Sequence, residues 1–177
     1  MKQQLSPEKY ITGKGRLLPI HECFISEDWG KSGLATVVIS RKMPSEKIIM
    51  GLYLVDVLCL GLKDTSYKFA MSAIEFSEFL NNLNQNQAMV KCEPNFAHNL
   101  IFGAIDFASE SGFSPNKGFK ITEYLLNTDL IDDGIDTIEF GRNGKPLFVA
   151  GPFDDVNRII GILERNLGTG NYDYIMP

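Results

Sequence analysis

The fifteen residues Ile48 to Leu62 (IIMGLYLVDVLCLGL) contain one charged side chain, Asp56, and no other segment restricts the fold as strongly. A membrane helix needs roughly 20 consecutive apolar residues, so this run is too short to span a bilayer and must be covered by protein. Gly51 and Gly61, the β-branched Val55 and Val57, and the turn residues at either end favour an extended strand over a buried helix. Alternation places Leu52, Leu54, Asp56, Leu58 and Leu60 on one face, with Tyr53, Val55, Val57 and Cys59 on the other. Both faces are apolar, which predicts a central strand covered on both sides.

The remaining segments read as strands first and helices afterwards. Leu17 to Ile25 and the β-branched run Leu34 to Arg41 are strands, separated by a turn at Asp28-Trp29-Gly30 and ended by Met43-Pro44-Ser45-Glu46. Tyr67 to Ala70 extends the sheet. Ser72 with Glu75 three residues later forms a capping box, opening a helix whose apolar side is Ile74, Phe76, Phe79, Leu80 and Leu83. The most buried helix spans about Asn95 to Glu110, with Ala97, Leu100, Ile101, Ala104, Ile105 and Ala108 at helical spacing and Gly112 as its stop. A short helix near Ile121 to Leu126 and an acidic stretch, Asp129 to Asp136, follow. Asn143-Gly144 then supplies the positive φ angles of a tight turn, predicting a hairpin of Thr137 to Phe140 with Pro146 to Ala150. Asp154 or Asp155 caps a last helix, with Val156, Ile159, Ile160, Leu163 and Leu167 facing inward and Gly168 ending it. This order predicts one α+β domain over residues 1–177, with a mixed or antiparallel sheet and three to four helices packed on it. Residues 1–16 read as a loosely held lead-in.

A chain of 177 residues with 44% apolar and 22% charged side chains can bury a core without a disulfide or a metal. Its formal charge of −5 works against non-specific attraction to nucleic acid or an anionic membrane. Met1 to Ile11 lacks the apolar core of a signal peptide. Cys23, Cys59 and Cys92 are odd in number and widely spaced, which reads as the reduced thiols of a soluble cytoplasmic protein rather than a disulfide framework.

Asp56 is the residue of most chemical interest, because a carboxylate midway along an apolar strand must find a partner or shift its pKa. Metal ligation and general-base catalysis are the functional roles; a structural carboxylate bonded to backbone or arginine is the simpler one and carries more weight. His98 lies on the most apolar helix, with Cys92 and Glu93 just before it, yet no second Cys or His completes a zinc spacing. His21 and Cys23 share a strand face without the third member a nucleophilic pair requires. Asp132, Asp133 and Asp136 offer hard oxygen ligands to calcium or magnesium but do not match the EF-hand loop. Gly168-Thr169-Gly170 follows a helix instead of opening one, the wrong side for a phosphate. Lys14, Arg16, Arg41, Lys42 and Lys47, near Trp29 and Tyr53 in sequence, are a weak footprint for nucleic acid. No Walker loop, nucleophile elbow or HExxH pair is present, and no cofactor is implied.

Two segments carry a resemblance. Gly51-Leu52-Tyr53-Leu54-Val55-Asp56 with Cys59-Leu60-Gly61-Leu62-Lys63-Asp64, and Ala97-His98-Asn99-Leu100-Ile101-Phe102-Gly103-Ala104-Ile105, resemble a group of uncharacterised bacterial proteins with a "YLVD…CLG.KDT" strand and an "AHN(L/I)I(Y/F)GAI" helix. The likeness runs from about Leu18 to Ile175, and some members of that group are longer at the C-terminus. It implies a shared fold unit and no reaction, and it sets Asp56 and His98 inside the shared motifs.

The expected function is therefore a non-catalytic binding or interaction module with a protein partner, nucleic acid being the less favoured one and a membrane excluded. The alternative is a metal-dependent hydrolase or nuclease that uses Asp56 with His98 or Glu139.

Overall fold

The apolar run Ile48–Leu62 folds as a strand, a turn and the start of the next strand rather than as one long strand. In the computed structural model, which describes residues 5–128 and 138–176, β3 ends at Asp56, Val57 to Leu60 turn, and the following strand begins at Gly61, paired with Asp56. The physical reason lies at Gly61. Its φ is +68°, and a Cβ there would stand 2.8 Å from the Ala108 Cβ and 2.9 Å from the Ala104 carbonyl oxygen, so the chain reverses where only glycine fits.

The elements in chain order are α1 (Pro7–Lys14), β1 (Ile20–Ser26), α2 (Trp29–Ser32), β2 (Leu34–Lys42), β3 (Ile48–Asp56), β4 (Gly61–Met71), α3 (Ala73–Asn86), β5 (Met89–Lys91), α4 (Pro94–Glu110), α5 (Phe119–Thr122), β6 (Leu147–Val149), α6 (Val156–Leu167) and β7 (Asp173–Ile175). The first five strands form an antiparallel sheet in the order β4-β3-β2-β1-β5, and β6 and β7 form a separate parallel pair. This is the α+β architecture the sequence predicts, with four helices of eight residues or more: α1, α3, α4 and α6.

One sheet face, built from Cys23, Ile25, Val37, Ile39, Tyr53 and Val55, is covered by Ala97, Leu100, Ile101 and Ala104 of α4. Val38, Ile48 and Met50 on the other face meet Phe76 of α3. The capping box of α3 is present, Ser72 and Glu75 each accepting from the other's backbone N–H. Ile74, expected on the apolar side, is instead 71% exposed in the first turn. Gly51 stands mid-strand because the Tyr53 ring folds back over it; a Cβ would lie 2.5 Å from the phenol oxygen. That phenol donates to the Thr122 carbonyl at 2.8 Å.

Two further expectations are corrected. The loosely held lead-in is in part a helix: Ser6 caps α1, and Ile11 is fully buried against Leu18, Ile49 and Leu125. Asn143 and Gly144 do adopt positive φ in a tight turn bridged by Arg142 and Lys145, but residues 138–140 form no strand with β6, and Thr137 of the expected hairpin lies outside the described residues. β6 pairs in parallel with β7 instead, because the Leu147 N–H is engaged by the Leu58 carbonyl on its other side.

Arg41 holds the loops beneath the α4 face. Fully buried, it donates from Nε to the Leu125 carbonyl (2.8 Å), from Nη1 to those of Leu18 (2.5 Å) and Arg16 (3.4 Å), and from Nη2 to Asn127 Oδ1 (2.6 Å). Every acceptor is neutral, so the guanidinium acts as a staple rather than half of an ion pair. Arg41→Met strands these buried acceptors and is expected to destabilise the fold by about 3 kcal/mol in urea titration, with little change in slope.

Candidate functional site

Asp56 closes the β3–β4 turn. Its Oδ1 accepts from the backbone N–H groups of Leu58 (2.8 Å) and Cys59 (3.1 Å), so the carboxylate satisfies donors the turn would otherwise bury unpaired. Burial raises its pKa, and the backbone donors of Leu58, Leu60 and Cys59, with Lys63, pull it back down. The turn in turn anchors other segments: Val57 N–H donates to the Gly33 carbonyl, Gly141 N–H to the Val57 carbonyl, and Leu147 N–H to the Leu58 carbonyl. Asp56 is thus bonded to backbone N–H groups of its own turn.

His98 is completely buried on α4. Its Nδ1 meets the Pro94 carbonyl one turn earlier, while Nε2 has no hydrogen-bond partner. The Pro94 contact fixes the proton on Nδ1, which makes Nε2 an acceptor left in apolar surroundings. Burial lowers the His98 pKa, the Pro94 carbonyl raises it, and Arg41 adds a lowering push.

The two residues stand at different levels of α4. Gly61, the partner of Asp56, packs at Ala104 and Ala108, six and ten residues beyond His98, which is roughly 9–15 Å along the helix axis. Glu139 stands beside the turn that Asp56 closes, since Val57 and Leu58 line a surface pocket with it. It accepts from the Asn143 N–H at 3.0 Å and lines this pocket of about 300 Å³ with Trp29, Lys31, Leu58 and Arg142, which neither Asp56 nor His98 lines. Among the described residues no three His, Cys, Asp or Glu side chains group as a metal ion requires. Asp132, Asp133 and Asp136 lie outside the described residues. Of the scattered basic residues, Arg41 is buried with four hydrogen bonds, Arg16 stacks on Tyr124, Lys14 lies over the Tyr10 ring and Lys42 pairs with Glu46.

Periodicity did not single out an exposed apolar surface near the C-terminus. Ten large apolar side chains are exposed among the described residues, and five of them, Val149, Phe153, Tyr174, Ile175 and Met176, belong to β6, β7 and their flanks. Val149 and Ile175 are register partners and share the outer face, whereas Phe148 beside Val149 is fully buried against Ile159 and Leu163 of α6. Phe153, on the turn after β6, is 98% exposed. The Lys145–Asp173 ion pair at 2.9 Å and the Tyr172–Glu164 hydrogen bond at 2.9 Å frame this surface with polar groups. The signal that finds it is non-periodic: three consecutive apolar residues, Tyr174 to Met176, with a neighbouring Phe153 that no helix pattern absorbs.

Comparison with protein-family models, with curated proteins and with solved structures gives no match. No described helix is long and apolar enough to cross a membrane.

Asp56→Ala leaves two turn N–H groups without their acceptor and should destabilise the protein by about 2 kcal/mol, while Asp56→Asn, which keeps an acceptor oxygen, should restore most of the loss. Equilibrium denaturation of the pair checks this. For His98, a folded pKa below the unfolded value of about 6.5 means the unfolded state binds the proton more readily, so stability is intact above that pH and is lost as pH falls below it. Asp56, with its raised pKa, contributes in the opposite direction on acidification. The difference in melting temperature between wild type and His98→Gln, followed from pH 7.5 to 5 (about two units spanning the His range), cancels that contribution and should narrow as pH falls.

Proposed function

We propose that this chain is a non-catalytic cytoplasmic binding module that engages a protein partner through the β6–β7 surface. The observation that carries this reading is the concentration there of half of the exposed large apolar side chains among the described residues, on β7, exposed at all three residues, and on β6, whose Phe148 is buried against α6. A monomer rarely exposes such a group without use, and an apolar centre framed by polar residues is the anatomy of a protein interface. The net charge of −5 supports a protein over a polyanionic partner, and three free cysteines suit a reducing compartment. The hydrolase reading has less behind it, since neither Asp56, bonded to the backbone of Leu58 and Cys59, nor His98 lines the pocket that holds Glu139.

Immobilised wild-type protein and the Phe153→Asp and Ile175→Asp variants, exposed in parallel to native lysate, give the test by quantitative mass spectrometry. A partner enriched by wild type should fall at least about tenfold with each variant while their melting temperatures stay within a few degrees of wild type. Equal enrichment by all three proteins, or none by any, overturns the proposal.

A further inference from the structure

We propose that Cys23 and Cys92 form a redox-active pair, a site at which a low-molecular-weight disulfide is reduced and an intramolecular bridge between β1 and the end of β5 is made. The inference is independent of the β6–β7 surface and rests on strand register. β1 and β5 pair antiparallel with Phe24 opposite Lys91, Ile25 opposite Val90 and Ser26 opposite Met89. The same register, carried one residue further, sets Cys23 opposite Cys92, and the Cys92 N–H donates to the Cys23 carbonyl at 3.1 Å. Directly opposed hydrogen-bonded residues have Cα atoms about 5.5 Å apart, inside the roughly 4.4–6.8 Å that a disulfide spans. Both side chains lie on the α4 face, Cys23 within the core cluster and Cys92 packed at its margin. The 68 intervening residues hide this pairing from any reading of cysteine spacing.

Access is provided on one side. A surface pocket of about 390 Å³ is lined by both cysteines with Ile20, His21, Lys91 and Pro94, and Cys92 is half-buried where Cys23 is buried. Burial, then Glu93, pushes the Cys92 thiol up to about 11; burial, then Cys92, pushes Cys23 up to about 12 against the opposing pull of Arg41. The more open, more acidic thiol therefore reacts first. The Cys92 thiolate attacks one sulfur of a small disulfide such as oxidised glutathione, forming a mixed disulfide and releasing one thiol. The Cys23 thiolate then attacks Cys92 Sγ and expels the second thiol. Two protein thiols and one small disulfide become one protein disulfide and two small thiols, so atoms and electrons balance. Because both thiols are held protonated at neutral pH, exchange is slow there and accelerates about tenfold per pH unit below the thiol pKa. The bridge would tie down β5, a three-residue edge strand between α3 and α4.

The test is oxidation of the reduced, folded full chain with oxidised glutathione at alkaline pH, acid quench, alkylation and peptide mapping. The expected result is a Cys23–Cys92 linked peptide with Cys59 alkylated, reversal by dithiothreitol, and a melting temperature raised by roughly 5–15 °C in the oxidised form. Cys59→Ser should behave as wild type, and Cys23→Ser should hold glutathione on Cys92. Full alkylation of both cysteines after prolonged oxidation, a stable glutathione adduct on Cys92 of the wild-type chain, linkage through Cys59 or between two chains, or a bridged form that melts no higher would each overturn the proposal. The linkage is read in the wild-type chain, so an unstable variant does not blur the answer.

Discussion

The carboxylate of Asp56 is the interaction on which the arrangement of the molecule depends. By accepting from Leu58 and Cys59 it fixes a four-residue reversal between β3 and β4. The same turn then holds three other segments through Val57 and Leu58: the end of α2 at Gly33, the loop at Gly141, and the first residue of β6. A side chain that reads as a chemical candidate is thus the point where the sheet is joined to the C-terminal third of the chain. Its raised pKa, driven by burial, is the cost of placing a carboxylate where backbone donors must be satisfied.

The other buried polar groups follow the same logic. Arg41 spends its donors on the carbonyls of Leu18, Leu125 and Arg16 and on Asn127; Tyr53 donates to the Thr122 carbonyl; His98 faces the Pro94 carbonyl. Arg41, Tyr53 and His98 are each turned toward backbone carbonyls, Arg41 with one further bond to the Asn127 side chain, whereas Cys23 and Cys92 face each other from β1 and the end of β5. Catalysis by acid and base needs groups that share a reacting centre. The β6–β7 face and the opposed cysteines are the places at which the two proposals set chemistry.

What the sequence made legible was local. Capping by Ser72 with Glu75, the α4 stripe, the Asp155 cap of α6 and the Asn143-Gly144 turn are each determined within a few residues, and each is present. What it concealed was non-local. The Ile48–Leu62 run does not show its reversal because Leu58 and Leu60 continue the apolar pattern through the turn; only the approach of Ala104 and Ala108 to Gly61 demands it. The partner of β6 is 26 residues away at β7, so the strongest turn signal in the chain was credited with a hairpin it does not make. The Cys23–Cys92 opposition depends on β5 returning to the edge beside β1 after α3, which no spacing rule contains.

The proposed binding surface inherits this non-local construction. Two parallel strands of three residues have too few hydrogen bonds to persist alone. β6 and β7 are ordered because Phe148 is packed against α6 and because Leu147 is bonded to the turn that Asp56 closes. A partner docking on Val149 and Ile175 therefore binds a state in which that turn is formed, and by linkage it must stabilise the turn by as much as the turn favours the partner. On that proposal the carboxylate would contribute to binding without touching the partner, by setting the population of the surface proposed to dock it.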